Sequence, residues 1–181
     1  AQVNFAFHYR DPHLMPNMDQ DISGILYTQN VDQDWGLWGH NLKKVFPDVP
    51  SQNALALVNG KRDAAQYCFS SAATFKAIQS FVIDQYGHGQ GHDGKWFMIS
   101  PNDNDKVCTC SSCRAQGNTT TDASPAVINL LNRLVLEFPN HHFYTTGYRT
   151  TKKAPSINLL PHTGVLLSTI DLSKAPKLQQ E

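Results

Sequence analysis

Apolar residues fall along this chain in two rhythms, and the alternation between them sets its class. Residues 3–10, V-N-F-A-F-H-Y-R, alternate apolar and polar positions as a strand does. Trp96-Phe97-Met98-Ile99 is a short apolar run of the length and bulk of a strand buried on both faces, and 164–170, G-V-L-L-S-T-I, is a further continuous apolar run that ends in an acid, Asp171. Residues 142–147, H-F-Y-T-T-G, make a further strand, and 35–41, W-G-L-W-G-H-N, end a short extended piece before Pro47 and Pro50 break the chain. Residues 54–62 suggest a strand turning at Asn59-Gly60, a strong hairpin signal, with a partner at Gln66-Tyr67-Cys68-Phe69. Helical spacing appears between these runs. Phe75, Ile78, Val82 and Tyr86 share one face of a helix over 72–86, which Ser70 or Ser71 can cap. Val127, Leu131, Leu134, Val135 and Phe138 do the same in a helix that opens with Ser124-Pro125 and stops at Pro139-Asn140. A shorter helix starts at Asp19 or Asp21 and runs through Ile22, Ile25 and Leu26.

Strands alternating with helices predict an α/β fold with a largely parallel sheet of about five or six strands and flanking helices. The 181 residues fit one domain over 1–173, followed by a polar tail over 174–181. A complete (β/α)8 TIM barrel needs roughly 250 residues, so the expected architecture is an incomplete barrel or an open sheet. Polar residues collect where strands end: Arg10, His40-Asn41, Asn102-Asp103-Asn104, Tyr148-Arg149 and Asp171. In parallel α/β folds, ligands bind at those carboxyl ends.

Charge narrows the partners. Fifteen cations balance fifteen acids, leaving a net charge of zero and no electrostatic footprint for nucleic acid. No apolar span is long enough for membrane insertion, and no signal-peptide pattern is visible in a chain that opens at Ala1, so the compartment stays open. Thirteen of the fifteen acids are Asp; Glu137 falls within a predicted helix and Glu181 is the last residue. Carboxylate chemistry therefore rests on Asp.

The densest chemistry follows the strand at Trp96. Asn102-Asp103-Asn104 leads into Cys108, Cys110 and Cys113, a C-x-C-x-x-C loop, with Cys68 the remaining cysteine. Full disulfide pairing would need Cys68 and a small strained ring inside the loop. Four thiolates around zinc is the ordinary arrangement for closely spaced loop ligands plus one from a distant strand, and such a closed site would be structural. Zinc, one or two disulfides, and free thiols all remain open at this stage. His88 and His92 have the spacing of a metal pair but sit among glycines, which gives that spacing no fixed geometry.

Asp103 is the leading catalytic candidate, since it ends a buried strand, is flanked by amides and lies near Trp-rich segments able to stack on sugar faces. Asp171 is the carboxylate that can pair with it, because glycosidases use two carboxyls about 5 or about 6.5–9.5 Å apart. Turn chemistry alone also accounts for N-D-N. Trp35, Trp38, His40 and Asn41 are candidates for a sugar subsite, with Asn102, Asn104, Tyr148 and Arg149 on the same rim; simple packing is the competing role for the Trp pair. Arg10, Arg62 and Arg149 are candidates to hold a uronate carboxylate.

The series W-G-L-W-G-H-N, N-G-K-R, Q-Y-C-F-S, S-P-N-D-N…C-T-C-S-S-C-R-A, S-P…N-L-L-N, E-F-P and T-G-Y-R-T-T-K-K-A-P resembles a bacterial domain family of unknown function. That family is grouped with TIM-barrel glycoside hydrolases and is similar to the neighbours of α-glucuronidase-type domains. The resemblance covers nearly all of residues 3–172. It implies an oligosaccharide or polysaccharide partner, a secreted, periplasmic or cell-surface location within a longer multidomain protein, and further strands beyond those present here. It also implies that Cys68, within Q-Y-C-F-S, is the fourth metal ligand. Where the family carries Leu before that cysteine, this chain has Tyr67.

Overall fold

Four short strands pair side by side in parallel, the inner ones buried and the last, at the edge, leaving Val165 and Leu167 exposed. They are β1 (Trp35–Leu37), β4 (Trp96–Met98), β5 (His142–Gly147) and β6 (Thr163–Leu167), in the spatial order β1-β4-β5-β6. Register runs Trp35↔Trp96, Phe97↔Phe143 and Thr145↔Val165. This computed structural model describes residues 31–90 and 94–170. The expected strand over 3–10, the helix through Ile22–Leu26, His92, Asp171 and the tail lie outside the described residues.

The remaining strands do not join that sheet. β2 (Leu55–Val58) and β3 (Lys61–Tyr67) form a separate antiparallel hairpin, so the five or six strands expected in one sheet become four plus two. The reason is composition: most of β3, K-R-D-A-A, is exposed, and a parallel sheet offers no wet face for it. Asn59 and Gly60 both adopt positive φ (49° and 78°), which makes the tight turn between Val58 and Lys61. A bulge then lets Leu55 pair with Tyr67 and Ala56 with Asp63, and Asp63 Oδ1 accepts the Ala65 N–H inside it. The sheet is open, not a closed barrel, among the described residues.

After a single helical turn, α1 (Val31–Asp34), the helices are α2 (Ala72–Tyr86), α3 (Ser111–Ala115) and α4 (Ser124–Glu137). Ser71 caps α2 by accepting the Ala73 N–H at 3.1 Å. For α4 the expected cap moves. Ser124 is already inside the helix with its hydroxyl buried and unpartnered, and Asp122 Oδ1 and Asn118 Oδ1 accept the Ser124 and Ala126 N–H groups instead. Val127, Leu131, Leu134, Val135 and Phe138 are all buried, as their spacing predicts. α4 packs on β5, β6 and α2. Phe97 and Phe143 stack at 5.4 Å in register at the centre, each fully buried and each contributing about 2–3 kcal/mol of apolar burial. His141 joins them with no exposure. Its Nε2 proton goes to Gly87 O and its Nδ1 accepts from Lys95 N, so both ring nitrogens are satisfied in the neutral form.

The opposite face of the sheet is aromatic. Trp35, Trp96 and Tyr144 meet with centroids 5.4–5.6 Å apart, and His142 stacks on His162 at 4.4 Å. No helix among the described residues is long and apolar enough to cross a membrane.

Candidate functional site

Two features sit together where β4 leaves the sheet. The first is the cysteine cluster. Cys68 follows β3 and is tied back by its N–H to Ala54 O at 2.8 Å. Cys108 and Cys110 lie in the loop after β4, and Cys113 is carried by α3. All four sulfurs lie within 4.8 Å of one another, and all four are free thiols. Cys68 Sγ stands 3.7 Å from Cys110 Sγ and 3.8 Å from Cys113 Sγ. An ion with four thiolates at about 2.3 Å in a tetrahedron separates its sulfurs by about 3.8 Å. The donor set is therefore compatible with a metal, and no sulfur pair stands at disulfide bonding distance.

The surroundings serve the sulfurs. Leu57 N–H donates to Cys108 Sγ at 3.2 Å, while Leu57 O accepts from Thr109 N, so the hairpin is stitched to the loop at the cluster. Asn118 Nδ2 holds Cys108 O. Ser70 Oγ lies 3.0, 3.5 and 3.7 Å from the sulfurs of Cys113, Cys68 and Cys110, capping one face of the group. Hydrogen bonds from the Cys113 and Cys68 thiols, with help from Leu57 N–H, bring Cys108 down to about 3. The proximity of Cys108 and Cys68, and then burial, push Cys113 upward. Thiolates this close repel one another, and a bound cation would offset that repulsion.

The second feature is the rim at the strand ends. After β1, Trp38 is 38% exposed and Asn41 Nδ2 closes the turn onto Trp38 O. His40 Nδ1 lies 2.6 Å from Pro101 O. A carbonyl only accepts, so Nδ1 carries a proton and donates it to Pro101 O. The His40 ring stands 6.1 Å from that of Tyr148, which follows β5. Arg149 has φ +47°, a left-handed backbone that turns its guanidinium across the Tyr148 ring and toward the loop after β4. Its Nε is 2.6 Å from Asp103 Oδ1, an ion pair whose N–H does not aim at the oxygen, and its Nη1 donates to Asp105 Oδ1 at 3.1 Å. A cleft of about 440 Å³ lies beside it, lined by Asp105, Tyr148, Arg149, Thr150 and Lys152.

The rim thus brings together His40, Asp103, Tyr148 and Arg149, with Trp38 beside it after β1, edge-on against the Trp35 ring at 4.7 Å. Trp35 is 7% exposed and packs into the aromatic face of the sheet rather than onto the rim. Asn102 and Asn104 both donate through Nδ2 to Ala65 O, at 2.8 and 2.9 Å, so their side chains fasten the loop to the hairpin. Gln66, absent from the sequence-based candidates, completes that fastening. Buried, it accepts the Asn102 and Tyr67 N–H groups through Oε1 and donates to Asn102 O and Asn104 Oδ1. A lone amide beside Tyr67-Cys68 is a weak signal, since amides are more often solvated. Ser70 carried only the signal of a helix cap. Among the histidines, His88 packs on the Phe138 ring.

No curated protein and no solved structure matches this chain. Residues 31–181, most of the chain, match the model of the family described as Domain of unknown function (DUF4838), and the protein belongs to that family.

Proposed function

We propose that this is a carbohydrate-active domain of glycoside-hydrolase-like architecture, which binds an oligosaccharide across the C-terminal ends of β1, β4 and β5. The observation that carries the reading is the convergence, at that one end of the sheet, of an exposed Trp38, the His40–Tyr148 ring pair and the Asp103–Arg149 ion pair. Sugars are taken by this combination of ring faces and planar charged hydrogen-bonding groups. The strand order supports a barrel arc: each new strand adds beyond the last, as barrel staves do, without the reversal that marks a doubly wound sheet. The family resemblance adds a secreted or surface setting beside other domains.

Binding is favoured over hydrolysis for the residues described. A glycosidase needs a carboxyl that gives a proton and another that accepts or attacks. Asp103 and Asp105 share the one guanidinium of Arg149 and are both solvent-exposed, not enclosed in the apolar pocket that makes a carboxyl a general acid. Asp103 is therefore read as the group that orients a sugar hydroxyl, with Asp171 the residue that a catalytic reading would add. A glycan panel assayed for both retention and products separates the two: retention that Asp103→Asn weakens, with no products, fits binding. Products that Asp103→Asn abolishes fit catalysis. Retention of no glycan sinks both.

For the cysteine centre we propose zinc, since four soft thiolates in a tetrahedron suit it and leave no open position for substrate. Its role is to lock the hairpin to the loop that carries Asp103. Elemental analysis showing less than one zinc per chain after purification without chelator would remove that assignment.

A further inference from the structure

A second cleft, of about 990 Å³, runs between the hairpin tip and the loop over Asn104–Thr109. Asp105 lines both this cleft and the strand-end cleft beside Arg149, and the neighbours Thr120 and Thr121 line one each, so the two clefts adjoin at Asp105 and together offer one elongated trough. Its charge is lopsided in a chain that is neutral overall. Lys61, Arg62, Lys106 and Arg114 line the hairpin part, Arg149 and Lys152 the strand-end part, against the carboxylates of Asp63 and Asp105. Two of these cations are already ion-paired, Lys106 with Asp63 at 2.6 Å and Arg149 with Asp103 and Asp105, while Arg62 donates to Leu55 O, a neutral carbonyl that leaves its charge in place. Lys61, Arg114 and Lys152 are exposed and meet no carboxylate among the described residues. The trough therefore carries a surplus of unpaired positive charge spread along its length, which favours an anionic ligand over a neutral one.

We propose that the trough takes an extended anionic glycan, a chain of several sugars bearing carboxylates or sulfate esters. One end lies in the strand-end cleft at Tyr148 and Arg149, and the chain passes Asp105 to reach Lys61 and Arg114. The proposal rests on the carbohydrate reading above and names its substrate class. Size supports it, because the two clefts together exceed what a single sugar ring fills. Arg114 follows directly on Cys113, so the cysteine centre fixes one of the trough's free cations.

Titration calorimetry on the full chain tests this with an oligogalacturonate hexamer, its methyl-esterified counterpart, a sulfated neutral hexamer and a panel of neutral oligosaccharides. Expected is binding of the galacturonate or the sulfated chain, at least about tenfold weaker binding of the methyl ester, and a marked loss on raising salt. Lys61→Gln/Arg114→Gln, two exposed positions outside the rim, should weaken anionic binding roughly tenfold and leave the unfolding midpoint in place. The galacturonate and sulfated arms tell which anionic group is taken. Equal binding of the methyl ester overturns this proposal and leaves the carbohydrate reading standing. Binding of no anionic glycan overturns it as well, and if the neutral panel is also silent the carbohydrate reading falls with it. Equal binding of a thymidine oligonucleotide of matched charge, equally weakened in the double variant, overturns the glycan assignment in favour of unspecific charge.

Discussion

Gln66→Met swaps a buried amide for an apolar chain of almost the same length, and the structure sets what that should cost. Two backbone donors lose their acceptor, Tyr67 N and Asn102 N, each 3.1 Å from Gln66 Oε1. The first is buried and the second partly so; a donor left without a partner costs about 1–3 kcal/mol, depending on how much water reaches it. The Nε2 bonds to Asn102 O and Asn104 Oδ1, both 3.3 Å, are long and add less. Together these give about 3 kcal/mol, or a drop in Tm of roughly 10 °C for a chain of this size. Gln66→Glu sharpens the test. It keeps the acceptor and places an oxygen where the donor was, facing two other acceptors, and it adds a charge at a position only 1% exposed. It should cost at least as much as Met at neutral pH and recover partly in acid, where the protonated carboxyl can donate. Urea unfolding of both variants beside the parent is the assay. A loss below about 1 kcal/mol in Gln66→Met, with an unchanged slope, refutes the view that this amide holds the Asn102–Asn104 loop.

Three further outcomes follow from the same geometry. Cys68→Ser removes the ligand contributed by the hairpin; bound zinc should fall below stoichiometry and Tm should drop, and full retention of both in elemental analysis and a thermal scan counts against the shared centre. Arg149→Ala leaves Asp103 and Asp105 as unpaired neighbours on an exposed rim, so stability should change by no more than about 1 kcal/mol while glycan binding is lost; unchanged binding isotherms remove Arg149 from the site. Burial holds the pKa of His141 and His142 below the ordinary histidine value, with the neighbouring histidines adding to the effect at both. The unfolded chain therefore binds protons that the fold refuses. Stability should be fully present above about pH 6.5 and fall as the pH is lowered from there, and a urea midpoint that stays level from pH 8 to 5 contradicts this.

Patterned apolar residues made much of the scaffold legible. The two long helices, the Asn59-Gly60 turn and the strands at Trp96 and His142 follow from period and punctuation alone, because burial there is decided by one helix face or one strand; the run at Gly164 does form a strand, but at the sheet edge with Val165 and Leu167 exposed. What escaped is what depends on partners far apart in sequence. That β2 and β3 stand outside the parallel sheet is settled by where a polar strand finds water, which no local window contains. The roles of Asn102 and Asn104 turned on Ala65 O, a backbone atom without a sequence signature. The family resemblance ties Cys68 to the C-x-C-x-x-C loop, and the sulfur distances are compatible with that gathering. The rim was read from polar residues at strand ends, which located His40, Asp103, Tyr148 and Arg149 but gave no sign that Asp103 and Asp105 share one guanidinium.

The cysteine cluster also makes the molecule a reporter of its own motion. Its sulfurs come from positions 42 and 45 residues apart, so they meet only when hairpin and loop are docked. Cys110 is the half-exposed member, whereas Cys68, Cys108 and Cys113 are buried. With any metal removed, a thiol reagent should therefore label in sequence, Cys110 first from the closed state and Cys113 last. The lag between them measures the free energy of undocking the hairpin while the sheet stays folded.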